Sequence, residues 1–178
     1  MKPCRLHITG ASGAGTTTLG RALATAWSVP HADTDDYFWV PTAPPYTTKR
    51  AASGRLRLME ELFLPRDAWV LSGSLVGWGD QLVDRFDAVV FLSVDQAVRI
   101  DRLHRRERAR YGADIEAGGA SERSYREFIE WASGYEDPDF DGRSRVEHEA
   151  WLDSLPCPVL RLDSARPTDE LVAAILDA

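Results

Sequence analysis

The chain has 178 residues, of which 44% are hydrophobic and 28% charged, and its formal net charge is −7. This composition predicts one globular domain, residues 1–178, and the acidic balance argues against broad nucleic-acid binding. No apolar run approaches the ~20 residues that span a bilayer. The first residues also lack the apolar stretch of a signal peptide, so we expect a cytoplasmic protein with no membrane partner.

Short apolar runs alternate with amphipathic stretches, which predicts an α/β fold with a parallel sheet. Strands are expected at residues 4–9, just before Asp33, and at 68–73, 87–94 and 157–163. Helices are expected from Thr16 onward and at 49–63, 95–112, 121–134, 144–154 and 167–176. Leu19, Leu23 and Trp27 recur at helical spacing and should form the buried face of the first helix. Three prolines between positions 41 and 48 exclude a helix interior there.

A glycine-rich segment, GASGAGTTT at residues 10–18, connects the first strand to the first helix. Gly10, Gly15 and Thr17 match a phosphate-binding loop with the pattern G-x-x-x-x-G-K-S/T. Glycines let backbone N–H groups turn toward a phosphate, and the helix N-terminus adds the positive end of its dipole. The Thr17 hydroxyl can ligate Mg²⁺, but Thr16 occupies the position of the usual lysine. The alternative is a tight strand-to-helix turn without a ligand.

These residues and their context resemble the P-loop kinases of small molecules, nucleosides and nucleotides. One branch of cytidylate kinases is similar even in the threonine, with G-S-G-T-T-T where others have G-S-G-K-T-T. The resemblance implies a three-layer fold with a parallel five-stranded sheet in the order 2-3-1-4-5, helices on both faces, and a small helical lid near residues 105–135. It also implies ATP and Mg²⁺, with the donor phosphates held by Gly10, Ala11, Ser12, Gly13, Ala14, Gly15, Thr16, Thr17 and Thr18.

Two aspartates, Asp33 and Asp35, follow the second strand at the sheet edge where open α/β folds bind ligands. Their spacing resembles the D-x-D of shikimate-kinase-like enzymes, which implies Mg²⁺ at Asp33 and Thr17 and the acceptor hydroxyl at Asp35. The segment DDYF also resembles uridine and nicotinamide riboside kinases, and that alignment again gives Asp35 as the catalytic carboxylate. Asp36 is the rival base, and capping of the next helix or turn is the alternative for all three.

Other candidate acceptor-binding residues are aromatic or small. Tyr37 follows the aspartates and can stack on an acceptor ring, although packing in the core or a lid is the alternative. Ser72 and Gly73 end the third strand, where small residues let a ligand approach the backbone, and a plain turn is the alternative. Trp78 can line the acceptor pocket or have a packing role.

Arginines crowd the helix predicted at 95–112. The resemblance implies that a lid arginine from this region closes over the transferred phosphoryl group, and Arg102 and Arg106 are the candidates. Favourable charge at a helix C-terminus, with surface ion pairs, is the alternative. The resemblance further implies that the loop at 162–167 passes along the adenine and ribose, with Arg166 as the candidate side chain.

The two cysteines, Cys4 and Cys157, are expected to be free. In the strand order that the resemblance implies they lie two strand spacings apart, roughly 9–10 Å. Disulfides need Cα atoms within about 7 Å of each other.

Three functions remain open from the sequence. A Mg²⁺- and ATP-dependent kinase leads, with a nucleoside or nucleotide acceptor favoured over a sugar, a shikimate-like acid or an antibiotic. A nucleotide-binding regulatory module with little catalysis is the second, because the loop lysine is missing. A nucleoside triphosphatase without an acceptor is the third. The Asp33 and Asp35 pair favours the kinase, since a binding module needs no acceptor-side carboxylate beside the metal.

Overall fold

The computed structural model describes residues 1–178, and its centre is a five-stranded parallel sheet. The spatial order is β2-β3-β1-β4-β5, which confirms the predicted architecture. The strands are β1 (Arg5–Gly10), β2 (His31–Asp33), β3 (Trp69–Ser72), β4 (Ala88–Ser93) and β5 (Val159–Asp163).

Seven α-helices accompany the sheet: α1 (Thr16–Trp27), α2 (Thr34–Phe38), α3 (Ala52–Leu62), α4 (Gln96–Tyr111), α5 (Glu122–Ser133), α6 (Arg145–Asp153) and α7 (Thr168–Asp177). Three 3₁₀ helices lie at Asp80–Arg85, Gly112–Ile115 and Gly134–Glu136. Every predicted helix forms, and the proline-rich segment is not helical, as predicted. The helix expected from residue 49 begins at Ala52, and the sequence does not predict the 3₁₀ helices. None of the helices is long and apolar enough to cross a membrane.

Two apolar cores cover the two faces of the sheet. One core packs α1 and α7 on the sheet, and it includes the predicted inward residues Leu19, Leu23 and Trp27. The other packs α3, α6 and the segment around Leu82 on the opposite face, with Trp69 fully buried between them. Strands covered on both sides read as continuous apolar runs, which explains why these segments lack alternation. Cys4 and Cys157 are both free, as predicted.

Two histidines are fully buried in this sheet region. His7 Nδ1 lies 3.1 Å from the Leu71 carbonyl oxygen. His148 lies between the Thr9 hydroxyl, 2.9 Å from Nε2, and the Tyr135 hydroxyl, 3.0 Å from Nδ1. Burial lowers the pKa of His7 to about 4 and that of His148 to about 3. Both rings are therefore neutral in the folded protein at pH values where an unfolded chain would protonate them.

We expect the free energy of unfolding to fall as the pH is lowered from 6.5 toward 4. In that window the unfolded chain binds protons at these histidines, whose ordinary pKa is 6.5, and the folded protein does not. Urea titrations at pH 7 and pH 5 measure the loss. A His148→Gln variant should lose less stability over this interval than the native chain, and equal losses would contradict the prediction.

Candidate active site

The glycine-rich loop forms an open cradle at the carboxyl end of β1. Ala14 N–H donates to the Ala11 carbonyl at 2.9 Å, which closes the turn. Gly13 has a φ of 87° and Gly15 a φ of 94°, in the left-handed region that side chains disfavour. In the first turn of α1 the N–H groups of residues 16–18 donate to no protein acceptor, as is usual at a helix start. Unpaired N–H groups at a helix N-terminus are suited to a phosphate.

Asp33 is the centre of the hydrogen-bond network beside this cradle. Its Oδ2 accepts from the Thr17 hydroxyl at 2.6 Å and from the Ser72 hydroxyl at 3.2 Å. Its Oδ1 accepts from the Asp35 backbone N–H at 3.1 Å and so caps α2. The capping interpretation therefore holds for Asp33, alongside its contact with Thr17. The network joins the ends of β2 and β3 to the first turn of α1.

His31 extends this network, and the sequence interpretation missed it. Its Nε2 lies 2.9 Å from the Ser72 hydroxyl oxygen. Since Ser72 donates to Asp33, its oxygen is free to accept from a protonated Nε2, which makes His31 the donor. Burial lowers the pKa of His31 below its ordinary 6.5 and favours the neutral ring. A signal existed in the sequence, because His31 precedes Asp33 by two residues in a strand and must lie on the same face.

Asp35 lies in the first turn of α2, next to Asp33. Its side chain reaches solvent, yet the surrounding protein raises the pKa of this carboxyl above its ordinary 3.8, and the nearby Asp33 carboxylate adds to the increase. The positive charges of Arg143 and Arg106 oppose that increase. A carboxyl whose pKa responds to a second carboxylate and to two guanidinium charges has the electrostatics expected of a group that handles protons. Asp36 is exposed.

The predicted acceptor-side residues are only partly together. Gly73 follows Ser72 and donates its N–H to the carbonyl of Ile8 in β1 at 3.0 Å, close to the start of the loop. Tyr37 packs against Phe63, with ring centroids 6.5 Å apart, which is the core-packing alternative. Trp78 donates its indole N–H to the Ser74 carbonyl at 3.0 Å.

Trp78 forms a cluster with the side chains of Phe38 and Arg55 on the proposed acceptor side. Its ring lies 5.7 Å from that of Phe38, and the Arg55 guanidinium carbon lies 3.8 Å from the Phe38 ring centroid. Arg55 also donates to the Arg50 carbonyl at 2.7 Å. The cluster combines flat aromatic faces with one cation beside α2.

The predicted arginines separate in space. Arg102 donates to the Ser164 carbonyl at 2.8 Å and so holds the loop after β5. Arg166 is exposed and pairs with Glu170 at 3.1 Å. Arg106 pairs with the buried Glu107 at 2.8 Å, and its charge acts on Asp35. Of the two lid candidates, Arg106 is therefore the one whose charge acts on the pKa of Asp35.

Two further arginines contact the cradle from the opposite side, and the sequence interpretation missed both. Arg99 of α4 donates to the Ser12 carbonyl at 3.0 Å and to the Ala132 carbonyl at 3.1 Å. Arg143, just before α6, donates to the Ser12 hydroxyl at 2.8 Å. Ser12 and Arg143 lie 131 residues apart in the chain, so no local pattern connects them.

The residues present fit a Mg²⁺–nucleotide ligand. Mg²⁺ prefers oxygen ligands and is usually held by one or two protein groups together with substrate phosphates. Thr17 Oγ1 and Asp33 Oδ2 provide such oxygens within 2.6 Å of each other, beside the unpaired N–H groups of the cradle. No group of three or more histidine, cysteine, aspartate or glutamate side chains forms an all-protein metal site.

The arrangement of sheet and cradle is the fold of P-loop small-molecule kinases. A gluconokinase from Sinorhizobium meliloti 1021 superposes with a TM-score of 0.53 at 20% identity, covering 98% of this chain and 90% of the other. A shikimate kinase from Bacteroides thetaiotaomicron gives 0.56 at 19% identity, covering 98% and 96%. The shikimate kinase of Acinetobacter baumannii in complex with shikimate gives 0.55 at 16%, covering 99% and 92%. These similarities confirm the predicted fold.

The sequence itself assigns the chain to a family. It is 42% identical over 172 residues to the uncharacterized protein YqaC of Bacillus subtilis (strain 168), covering 97% of this chain and 95% of that protein. The chain therefore belongs to the same family as YqaC. No family model matches the sequence.

Proposed function

We propose that the protein is an ATP- and Mg²⁺-dependent kinase of a small-molecule acceptor. The observation that carries the proposal is the position of Asp35, an acceptor-side carboxylate adjacent to the Asp33–Thr17 pair and the phosphate cradle. A protein that only binds a nucleotide needs no such group. The fold shared with gluconokinases and shikimate kinases supports the same reaction class.

Each group in the site has a role in this reaction. The loop from Gly10 to Thr18 binds the donor phosphates through its backbone N–H groups. Thr17 and Asp33 hold Mg²⁺, which neutralises phosphate charge when bound. Asp35 orients the acceptor hydroxyl and takes its proton. As the acceptor oxygen bonds to the γ-phosphorus, the bond from that phosphorus to the β–γ bridging oxygen breaks, and ADP leaves with that oxygen.

The surrounding protein and the nearby Asp33 carboxylate give Asp35 the properties of a base. Its raised pKa makes the Asp35 carboxylate a stronger proton acceptor than an ordinary aspartate. Arg106 brings positive charge from the region that we propose as a lid, which spans residues 105–135. An arginine is suited to the charge that spreads over the transferred phosphoryl group.

For the acceptor, we propose a nucleoside or a nucleotide. Trp78 is only partly buried, with its ring centroid 5.7 Å from that of Phe38, and offers an aromatic surface on which a base can stack. Arg55, packed over Phe38, can pair with an acceptor phosphate. A sugar or a hydroxy acid is the alternative within the same reaction class.

One observation favours a second candidate, a nucleotide-binding module with little catalysis. Thr16 occupies the position of the loop lysine and provides a hydroxyl in place of a point charge. A loop without that charge would bind phosphates more weakly and stabilise the transferred group less.

The decisive experiment measures ADP formation from ATP and Mg²⁺ with and without a panel of nucleosides, nucleoside monophosphates and small sugars. We expect ADP to form with one acceptor class and to be nearly absent without it. An equal rate of ADP formation with and without an acceptor would indicate a triphosphatase. ATP binding without turnover for any acceptor would favour the regulatory module.

A Thr17→Val variant should lower kcat/KM for ATP by about 100-fold or more, because it removes the hydroxyl that would ligate Mg²⁺. Thr17→Ser keeps that oxygen and is the matched control, with an expected loss of less than about tenfold. Comparing the two variants at several Mg²⁺ concentrations measures the effect. Equal losses in both would contradict a metal-binding role for Thr17.

A further inference from the structure

The cradle is flanked by two arginines that form no salt bridge. Arg99 and Arg143 both contact Ser12, yet neither forms an ion pair with an aspartate or glutamate. Arg99 is 1% exposed, and its Nε and Nη2 atoms have no hydrogen-bond partner. The Nε of Arg143 is buried without a partner as well. Buried charge is costly unless it is paired, so this side of the cradle is suited to an anion that the chain itself does not supply.

The two arginines differ in what holds them. Both hydrogen bonds of Arg99 Nη1 go to backbone carbonyls, of Ser12 and Ala132, which ties α4 and α5 to the loop. Arg143 contacts only a side-chain hydroxyl of the loop, through Nη2. Its guanidinium lies 5.2 Å from the Trp131 ring centroid, and an aromatic face fixes a guanidinium without using its N–H donors. Both arginines keep unused donors, but the two carbonyl bonds of Arg99 make it a residue that positions the loop, whereas Arg143 has a single hydrogen bond to the loop.

We propose that Arg143 supplies, from the segment before α6, the positive charge that Thr16 does not provide at the usual lysine position, and that it contacts the terminal phosphates of the bound nucleoside triphosphate. This inference rests on the proposed function, because it takes a triphosphate as the ligand of the cradle. It explains how a loop with a threonine in this position can still stabilise phosphate charge. It also assigns a role to a residue outside both the loop and the lid.

The position of Arg143 favours the donor phosphates. Its hydrogen bond to Ser12 places the guanidinium against the middle of the loop that would wrap those phosphates. Its positive charge also counteracts the rise in the pKa of the Asp35 carboxyl. A planar guanidinium can bind two phosphate oxygens through parallel N–H groups, a fixed geometry that the ammonium of a lysine does not provide.

The test is a set of four proteins titrated with ATP and with AMP in the presence of Mg²⁺: the native chain, Arg143→Met, Thr16→Lys, and the double variant. We expect Arg143→Met to weaken ATP binding by about 10- to 100-fold, the range of a charge-assisted hydrogen bond. AMP lacks the terminal phosphates, so its affinity should change much less. Thr16→Lys should restore most of the ATP affinity in the Arg143→Met background and change it less than about threefold in the native one.

Controls separate this role from a structural one. Arg145→Met changes an exposed arginine two residues away that pairs with Glu136 at 3.0 Å, and it should leave ATP affinity unchanged. Arg143→Lys keeps the charge and should retain part of the affinity if Arg143→Met does not fold. Restoration by Thr16→Lys is a result that loss of packing alone would not produce.

The outcomes are distinguishable. If the native protein binds ATP and Arg143→Met binds it equally well, the role of Arg143 is refuted and the proposed kinase stands. If Thr16→Lys increased ATP affinity equally in the native and Arg143→Met backgrounds, the idea that Arg143 replaces the missing loop lysine would be refuted, and the proposed kinase would again stand. If the native protein binds no nucleoside triphosphate, the proposed function fails first and this inference fails with it.

Discussion

Replacing Asp35 by asparagine is expected to lower kcat for phosphoryl transfer by about 10²- to 10⁴-fold, the range that a positioned general base contributes. Asp33 still caps α2 by accepting the backbone N–H of residue 35, because that N–H does not depend on the side chain. The fold and ATP binding should therefore be retained. Steady-state kinetics with the acceptor found in the panel, together with an ATP titration, measure both quantities. A variant with native kcat would remove Asp35 from the mechanism.

Asp36→Asn distinguishes the two rival carboxylates on the same helix. Both side chains are exposed, but only residue 35 is bonded to Asp33, through its backbone N–H, so loss of the Asp36 carboxylate should lower kcat far less than loss of the Asp35 carboxylate. The reverse ranking would show that Asp36 is the base. In the native protein, kcat/KM should rise with pH through the pKa of Asp35, because only the carboxylate accepts a proton. Since that pKa is raised, the rise should lie above 3.8, the ordinary value for aspartate.

Replacing Gly13 by alanine is expected to lower the free energy of unfolding by about 2–4 kcal/mol. A Cβ at this position would lie 2.6 Å from the Arg99 carbonyl oxygen and 2.9 Å from Arg99 Cγ, so the loop and α4 would have to separate. The residue also has a φ of 87°, which alanine adopts only with strain. Because Arg99 ties α4 to Ser12, the same change should weaken ATP binding. Urea titration and an ATP titration measure the two effects.

Gly15→Ala is the matched control, since it adds the same atom to the same loop. Its φ of 94° imposes similar backbone strain, but a Cβ there meets no heavy atom within 4 Å. The expected loss of unfolding free energy is therefore only the strain of about 1–2 kcal/mol. If both variants lost the same stability, contact between the loop and α4 would not be what restricts residue 13.

The fold and half of the site could be predicted because their signals are local. Apolar runs identify the strands. The spacing of Gly10, Gly15 and Thr17 identifies the loop within the single segment 10–18. Asp33 and Asp35 follow a strand directly, and parallel strands bring their carboxyl ends to one edge, where Ser72 also lies. For these residues the sequence and the secondary structure together were enough to predict proximity.

The roles of the arginines could be assigned only from the tertiary structure. The helix α4 carries many arginines at similar spacing, and their sequence pattern cannot distinguish Arg102, which binds Ser164, from Arg99, which binds the cradle. Burial of the side chain decides their partners, and burial depends on how α4 packs against α5 and the loop.

The sequence by itself determined the α/β class, the strand order through its family resemblance, the glycine-rich loop between β1 and α1, and the aspartates after β2. Only the tertiary structure decided which arginine side chains contact that loop. Arg143 reaches Ser12 across 131 residues because α4, α5 and α6 pack around the loop. Charges without a fixed spacing in sequence acquire partners only through such packing, and that is why a loop lacking its lysine could not be judged from its own residues.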